Sequence, residues 1–367
     1  MDIRYMSALK MYIIQLLLAM CLLLAYDVSF SAYSLKSEVK KINVFVLAGQ
    51  SNMEGYAQKI QLEKLLCAVD EFEIEGNDCY LGEDETTRLF KTITDYYMVD
   101  GVPKYKYDKQ LTDNEANNIL NMYNNLYFRK DLLNDSNRVK IISINYVRND
   151  DALQLRSIKS GDLSVGYGYA NKSAKYGPEL LIGKVLAKNM DVNDGDIVLI
   201  KLVQGGSDLY QQWRSPSMEK RLPPSTKESL YPKLIDWVKN IESNISDYFP
   251  EYQDMDLDVN IRGFFWFQGF NDMFNNDYVM TYRDNLIDFL LDLRADLSLN
   301  RLPIVIASDA NNSINGLIIQ QAQKTDAQIL LATNYTNTRD LSAYYHYDSA
   351  SPIIIGFRLG QEMLKLI

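Results

Sequence analysis

The run Ile42-Asn43-Val44-Phe45-Val46-Leu47-Ala48, followed by Gly49-Gln50-Ser51-Asn52-Met53, decides how the rest of the chain is read. A short stretch of β-branched and large apolar side chains suits a strand buried on both faces, and the polar turn led by Gly49 ends it. Strands covered on both faces belong to parallel sheets. A serine where such a strand gives way to a turn or helix sits at the top of the sheet. Its hydroxyl is exposed there and its backbone N–H can face an anionic oxygen. The same position also suits a helix N-cap, so the strand and turn alone leave Ser51 as nucleophile or cap.

Working outward, similar runs predict strands at 139–146, 196–203, 261–267, 303–307 and 328–333. Helical spacing predicts helices at 178–190, 229–245, 278–297, 316–325 and 351–366. This alternation implies an α/β fold with a central parallel sheet of about five strands and helices on both faces. Ligands of such sheets lie at the carboxyl ends of the strands. Residues 54–138, rich in Tyr, Asn and Asp, break the rhythm and read as an elaborated insertion. Residues 148–177 contain Gly161, Gly166, Gly168 and Gly177 and read as a long loop at the rim of the site.

Of 367 residues, 47% are hydrophobic and 23% charged, enough apolar surface for one large core, so residues 35–367 read as a single domain. The formal charge of −10 argues against nucleic acid as the partner, because phosphate contacts need clustered Lys and Arg, and favours a neutral substrate. Residues 1–34 resemble a signal peptide: Arg4 and Lys10 precede the apolar run from Met11 to Tyr26, and Ala32-Tyr33-Ser34 supplies small residues near a cut. Cleavage there gives a mature chain that begins near Leu35 and is secreted, periplasmic or extracellular. An uncleaved segment gives a membrane anchor instead. Cys67 and Cys79 suit either a disulfide in an oxidising compartment or two free thiols. With one histidine in the chain, no zinc-type ligand set is implied.

That histidine is His346, in Tyr345-His346-Tyr347 just before the last predicted helix. A serine hydroxyl needs a neighbouring base to attack an ester at neutral pH, and imidazole has the pKa for it. Two further Gly-containing polar turns follow apolar strands: Gln204-Gly205-Gly206-Ser207 and Gln268-Gly269-Phe270-Asn271-Asp272. A glycine N–H and a side-chain amide at strand ends are donors of the kind that hold a tetrahedral oxyanion.

With these blocks in order, the chain resembles the SGNH hydrolase superfamily, in its branch of sialate O-acetylesterase-like proteins and family-six carbohydrate esterases. Gly49-Gln50-Ser51-Asn52-Met53, Gly205-Gly206-Ser207, Trp266-Phe267-Gln268-Gly269-Phe270-Asn271-Asp272 and His346-Tyr347 carry the resemblance. Val165-Gly166-Tyr167-Gly168 and Tyr176-Gly177-Pro178-Glu179 resemble the connecting segment. The resemblance implies a flavodoxin-like α/β/α sandwich, no metal or organic cofactor, and hydrolysis of O-acetyl esters on a sugar or polysaccharide. Ser51 is then the nucleophile and His346 the base. Gly206, Asn271 and Gln268 stand as oxyanion donors, and Gln50 and Asn52 as substrate-binding residues. Two departures stand out. Phe270 and Asn271 follow Gln268-Gly269 where the branch often has Glu, which favours Asn271 over Gln268 as the side-chain donor. Ala343 stands where the family tends to have Asp, so the orienting acid is Asp340 or Asp348, or a backbone carbonyl takes its place. A lipid or thioester hydrolase with the same residues, and a non-catalytic carbohydrate-binding relative, are the alternatives.

Overall fold

The computed structural model describes residues 20, 39–59, 96–99, 102–105, 136–308, 313–338, 341, 346–347 and 351–367. The expected signal segment, apart from Met20, and Cys67, Cys79, Asp340 and Asp348 lie outside the described residues. Contacts divide the chain into a small unit, Met1–Lys40 with Asp254–Asp258, and a large one, Lys41–Gln253 with Val259–Ile367. In the small unit Asp254 turns the chain at φ 61, a left-handed conformation that Asp tolerates better than most residues. Among the described residues, no helix is long and apolar enough to cross a membrane.

The strands are β1 (Lys40–Gly49), β2 (Ala57–Gln58), β3 (Tyr96–Val99), β4 (Val102–Tyr105), β5 (Ser136–Asn149), β6 (Ala152–Leu163), β7 (Lys175–Tyr176), β8 (Asp196–Gln204), β9 (Leu257–Gln268), β10 (Ile304–Ser308) and β11 (Thr333–Thr336). The helices are α1 (Ser51–Glu54), α2 (Glu179–Asn189), α3 (Leu209–Gln212), α4 (Pro216–Arg221), α5 (Leu230–Ser243), α6 (Asn276–Asp296), α7 (Ile314–Ile329) and α8 (Ser351–Leu364). Seven strands form one sheet in the order β11-β10-β9-β1-β8-β5-β6. The pairs β1/β8, β5/β8, β9/β10 and β10/β11 are parallel, and β5/β6 is antiparallel. The α/β architecture expected from the sequence is therefore present, with two differences.

The sheet has seven strands rather than about five: all six runs read as strands join it, and Ala152–Leu163, inside the segment read as a loop, adds the seventh by pairing antiparallel with β5. Its residues are exposed or half-buried apart from Leu163, as suits an edge strand, and Leu155 and Ile158 remain exposed. The last strand starts at Thr333 rather than Gln328, because α7 continues to Ile329 and buries Ile319, Ala322, Gln323, Asp326 and Ala327 at helical spacing.

Side-chain alternation separates the two cores. Phe45, Leu47, Phe265 and Phe267 face α2 and α8, in one cluster with Leu180, Ile182, Ile355 and Leu359. Trp266, one residue out of phase with Phe265 and Phe267, meets Phe289 of α6 at 4.5 Å and Trp213 edge-on at 5.2 Å. Helix starts are capped by side chains: Ser229 accepts from the Tyr231 N–H, Asn275 from Asp277 and Tyr278, and Ser313 from Gly316.

Candidate active site

The carboxyl ends of β1, β8 and β9 form the floor of the site. β1 ends in Gly49, where a Cβ would stand 2.1 Å from the carbonyl oxygen of Phe267, so only glycine lets the two strand ends approach this closely. The Gln50 N–H then donates to that carbonyl at 3.2 Å. The chain turns into α1, whose first residue is Ser51, and Met53 and Glu54 donate back to the Gln50 carbonyl. Backbone N–H groups in the first turn of a helix have no intrahelical acceptor, so the Ser51 N–H is available to a ligand oxygen. The serine is only 7% exposed and lines the cleft described below.

A buried charge holds this turn from below. Lys201, in the middle of the otherwise apolar β8, donates to the carbonyls of Glu54 at 2.7 Å and Tyr167 at 2.8 Å, and to Glu179 Oε2 at 2.9 Å. The other Glu179 oxygen accepts the Gly177 N–H at 2.8 Å. The Tyr176-Gly177-Pro178-Glu179 segment is thereby tied to the Ser51 turn.

After β8 the chain passes Gly205 and Gly206. A Cβ on Gly205 would lie 2.9 Å from Glu54 Oε2 and 3.9 Å from Ser51 Cβ, so the turn lies close against α1. After β9, the third block is organised by Gln50, whose Oε1 accepts from Gln268 Nε2 at 3.2 Å, Gly269 N at 3.3 Å and Asn271 N at 3.2 Å. Asn271 donates one amide hydrogen to the Gly206 carbonyl at 2.5 Å, which joins the second and third blocks across the cleft. An amide nitrogen carries two hydrogens, so one remains for a ligand.

Gln268 has a different setting. It is fully buried and donates to Ser207 O at 3.0 Å and Asp272 Oδ2 at 2.6 Å, while Tyr282 donates to its Oε1 at 3.2 Å. Asp272, also fully buried, accepts the N–H groups of Leu209 at 2.9 Å and Tyr210 at 3.2 Å. Burial, and then the negative charge of Asp208, push its carboxyl up to about 7.

A cleft of about 340 Å³ brings together Gln50, Ser51, Gly206, Asn271 and His346, all residues expected from the sequence. Gln268 and Asn52 do not line it. Asp340, the expected orienting acid, lies outside the described residues, as does Asp348. His346 is exposed, and its ring lies parallel to that of Tyr56 at 4.0 Å and 7°. Partial burial, and then the charge of Lys175, hold its pKa below the ordinary histidine value. Among the described residues no hydrogen bond joins Ser51 to His346.

The sequence reading missed Glu54, Tyr56, Arg156, Tyr169 and Phe270, which complete the cleft wall. Glu54 and Tyr56 fell inside the segment read as an insertion, yet Met53, Glu54 and Ala57 are buried and β2 pairs with β7. Arg156 and Tyr169 fell inside the segment read as a loop. Glu54 Oε1 accepts from Arg156 at 3.4 Å and the Ala170 N–H at 3.3 Å. Burial raises its carboxyl pKa, against the lowering by the Ala170 N–H and by Arg156 and Lys201. Among the described residues no cluster of His, Cys, Asp and Glu is arranged to hold a metal.

Comparison with known families matches residues 153–365 to the family described as "Carbohydrate esterase, sialic acid-specific acetylesterase". The chain belongs to that carbohydrate esterase family. It is therefore an ester hydrolase of the acetylesterase kind, in keeping with the block order read from the sequence. Among solved structures, a protein from Arabidopsis thaliana is similar in fold, with 14% identity, a TM-score of 0.51, and coverage of 88% of this chain and 98% of that one. NanS aligns at 13% identity and a TM-score of 0.48, over 89% of this chain and 98% of its own. A carbohydrate acetylesterase from Xanthomonas citri aligns at 13% identity and a TM-score of 0.47, over 88% of this chain. This chain spans 56% of that one. A search of the curated proteins found no match. The matched segment of the carbohydrate esterase family begins at Leu153, inside the β5/β6 hairpin, and includes the second, third and final blocks but not Ser51.

Proposed function

We propose that this carbohydrate esterase removes O-acetyl groups from a sugar by a Ser51–His346 acyl-enzyme mechanism, outside the cytoplasm. The observation that carries the reading is the single cleft lined by Ser51, Gly206, Asn271 and His346. His346 takes the Ser51 proton as the serine oxygen attacks the acetyl carbonyl. The N–H groups of Ser51 and Gly206 and the free amide hydrogen of Asn271 hold the oxyanion. His346 then gives its proton to the departing sugar oxygen, and water releases acetate by the same steps in reverse. With a lowered pKa the imidazole is neutral, and so competent as a base, to lower pH than an ordinary histidine.

Size and charge support the substrate class. A cleft of about 340 Å³ is at the small end of ligand pockets, which span about 300–1,000 Å³, and suits one sugar unit better than a long acyl chain. Its wall carries Arg156, whose side chain is 27% exposed and meets the buried Glu54 carboxylate only at 3.4 Å. This local cation favours a sugar bearing a carboxylate, where the chain's overall charge suggested a neutral one. The resemblance of residues 1–34 to a signal peptide is the ground for export.

The test is acetate release from O-acetylated sialic acid, acetylated xylan and a long-chain acyl ester, by the natural chain and by S51A and H346A. Acetate from the acidic sugar, with each substitution abolishing nearly all turnover and the pair no worse than either alone, is the expected outcome, since the two residues act as a unit. Near-normal turnover by H346A sinks the mechanism, because the chain has no second histidine.

A further inference from the structure

A serine hydrolase needs its imidazole held in one orientation and its imidazolium stabilised as the proton arrives, work commonly done by a carboxylate on the far ring nitrogen. In this chain the position where the family tends to have that acid is Ala343. Among the described residues, His346 touches an aromatic face. Its ring lies parallel to Tyr56 at 4.0 Å and 7°, Tyr56 in turn meets Tyr169 at 4.6 Å, and the Arg156 guanidinium lies 4.9 Å from the Tyr169 ring centre. The backbone around Tyr56 is fixed on both sides. Lys175 donates to the Tyr56 carbonyl at 2.8 Å, the Tyr169 N–H donates to the Gly55 carbonyl at 2.7 Å, and Ala57 opens β2, paired with β7.

From this geometry we infer that Tyr56 is the positioning residue of the catalytic base: its ring sets the plane of His346 and presents a π face to the imidazolium that forms during turnover. The inference rests on the reading of His346 as the base. A ring face stabilises a nearby cation through its quadrupole, most effectively away from water, and the effect grows as His346 gains its proton. Tyr169 behind it, backed by Arg156, keeps the Tyr56 ring from rotating away. The hydroxyl of Tyr56 is not required for this role, so phenylalanine preserves it and a side chain without a ring abolishes it.

Because His346 is the only histidine, its ring can be observed alone by NMR in protein labelled at histidine. In the natural chain its carbon-bound ring protons resonate upfield of an unstacked histidine, shifted by the Tyr56 ring. The expected result is that Y56F retains the upfield shift and the turnover, whereas Y56L and Y56A lose the shift and lower kcat by roughly 3- to 30-fold with little change in KM. Y56L keeps apolar bulk and serves if Y56A does not fold. Unmoved His346 resonances in Y56L, a rise in KM alone, or a Y56F variant as impaired as Y56L would each overturn the inference. S51A and H346A are assayed alongside. If H346A remains active, the reading of His346 as base has failed, whereas an inactive H346A with a fully active Y56L refutes only the role of Tyr56.

Discussion

Replacing Lys201 by methionine tests whether the Ser51 turn rests on a buried ion pair. Lys201 and Glu179 are both fully buried at the side chain and meet at 2.9 Å, and the same ammonium is shared with two backbone carbonyls. Methionine fills a similar volume, so packing changes little. What is lost is the donor, leaving a buried carboxylate without its cation and the Glu54 and Tyr167 carbonyls short of a partner. Removing one member of a buried pair costs about 3–5 kcal/mol, roughly a hundred- to several-thousand-fold in the folding equilibrium. Urea unfolding followed by the fluorescence of the buried Trp213 and Trp266 reads this as a lower midpoint at unchanged slope. E179Q introduced into K201M removes the stranded charge while its amide oxygen can still accept from Gly177. The double variant should recover at least about 1 kcal/mol over K201M, because the two sites are coupled. Kinetically, folded K201M should turn over more slowly, since the Glu54 carbonyl ends the helix that begins with Ser51. A K201M variant within about 1 kcal/mol of the natural chain, or no recovery in K201M/E179Q, refutes this account.

Three other outcomes are expected. N271A should lower kcat by roughly 10²- to 10³-fold with KM nearly unchanged, as for the loss of one oxyanion donor, whereas Q268A should mainly lower the unfolding midpoint, because it strands buried partners. A larger kcat loss in Q268A at unchanged stability would reverse the two roles. The acid limb of kcat/KM should lie below the ordinary histidine pKa of 6.5, since the base works deprotonated, and K175M should move it upward, a shift read from a pH–rate profile. Asp272 is raised from 3.8 to about 7, so over that interval the folded state keeps a proton that the unfolded chain releases. Its contribution to stability is therefore full below about pH 4 and is lost as pH rises through about 7, and D272N should flatten that part of the midpoint-versus-pH curve.

The sheet was legible because burial on both faces demands near-continuous apolar strands, and Ile42–Ala48 and Asp196–Val203 each match an observed strand closely. The edge was not. β6 has no continuous apolar run and contains polar residues and Gly161, so it reads as a loop until β5 is there to pair with it. Lys201 was detectable as a single charge inside an apolar run, but nothing local identifies Glu179 as its partner, 22 residues earlier.

The site divides along the same line. The sequence by itself determined the glycine-flanked turns at the ends of β1, β8 and β9, since backbone conformation there depends on residues that are adjacent in the chain. It also determined the only possible histidine. The tertiary structure alone decided which amides face the cleft. Gln268 and Asn271 are three residues apart, yet one is sealed under the floor with Asp272 and Tyr282 and the other reaches across to Gly206. It also decided the neighbour of His346, because the Tyr56–His346 stack joins residues from opposite ends of the chain, and ring stacking leaves no short-range pattern in a sequence.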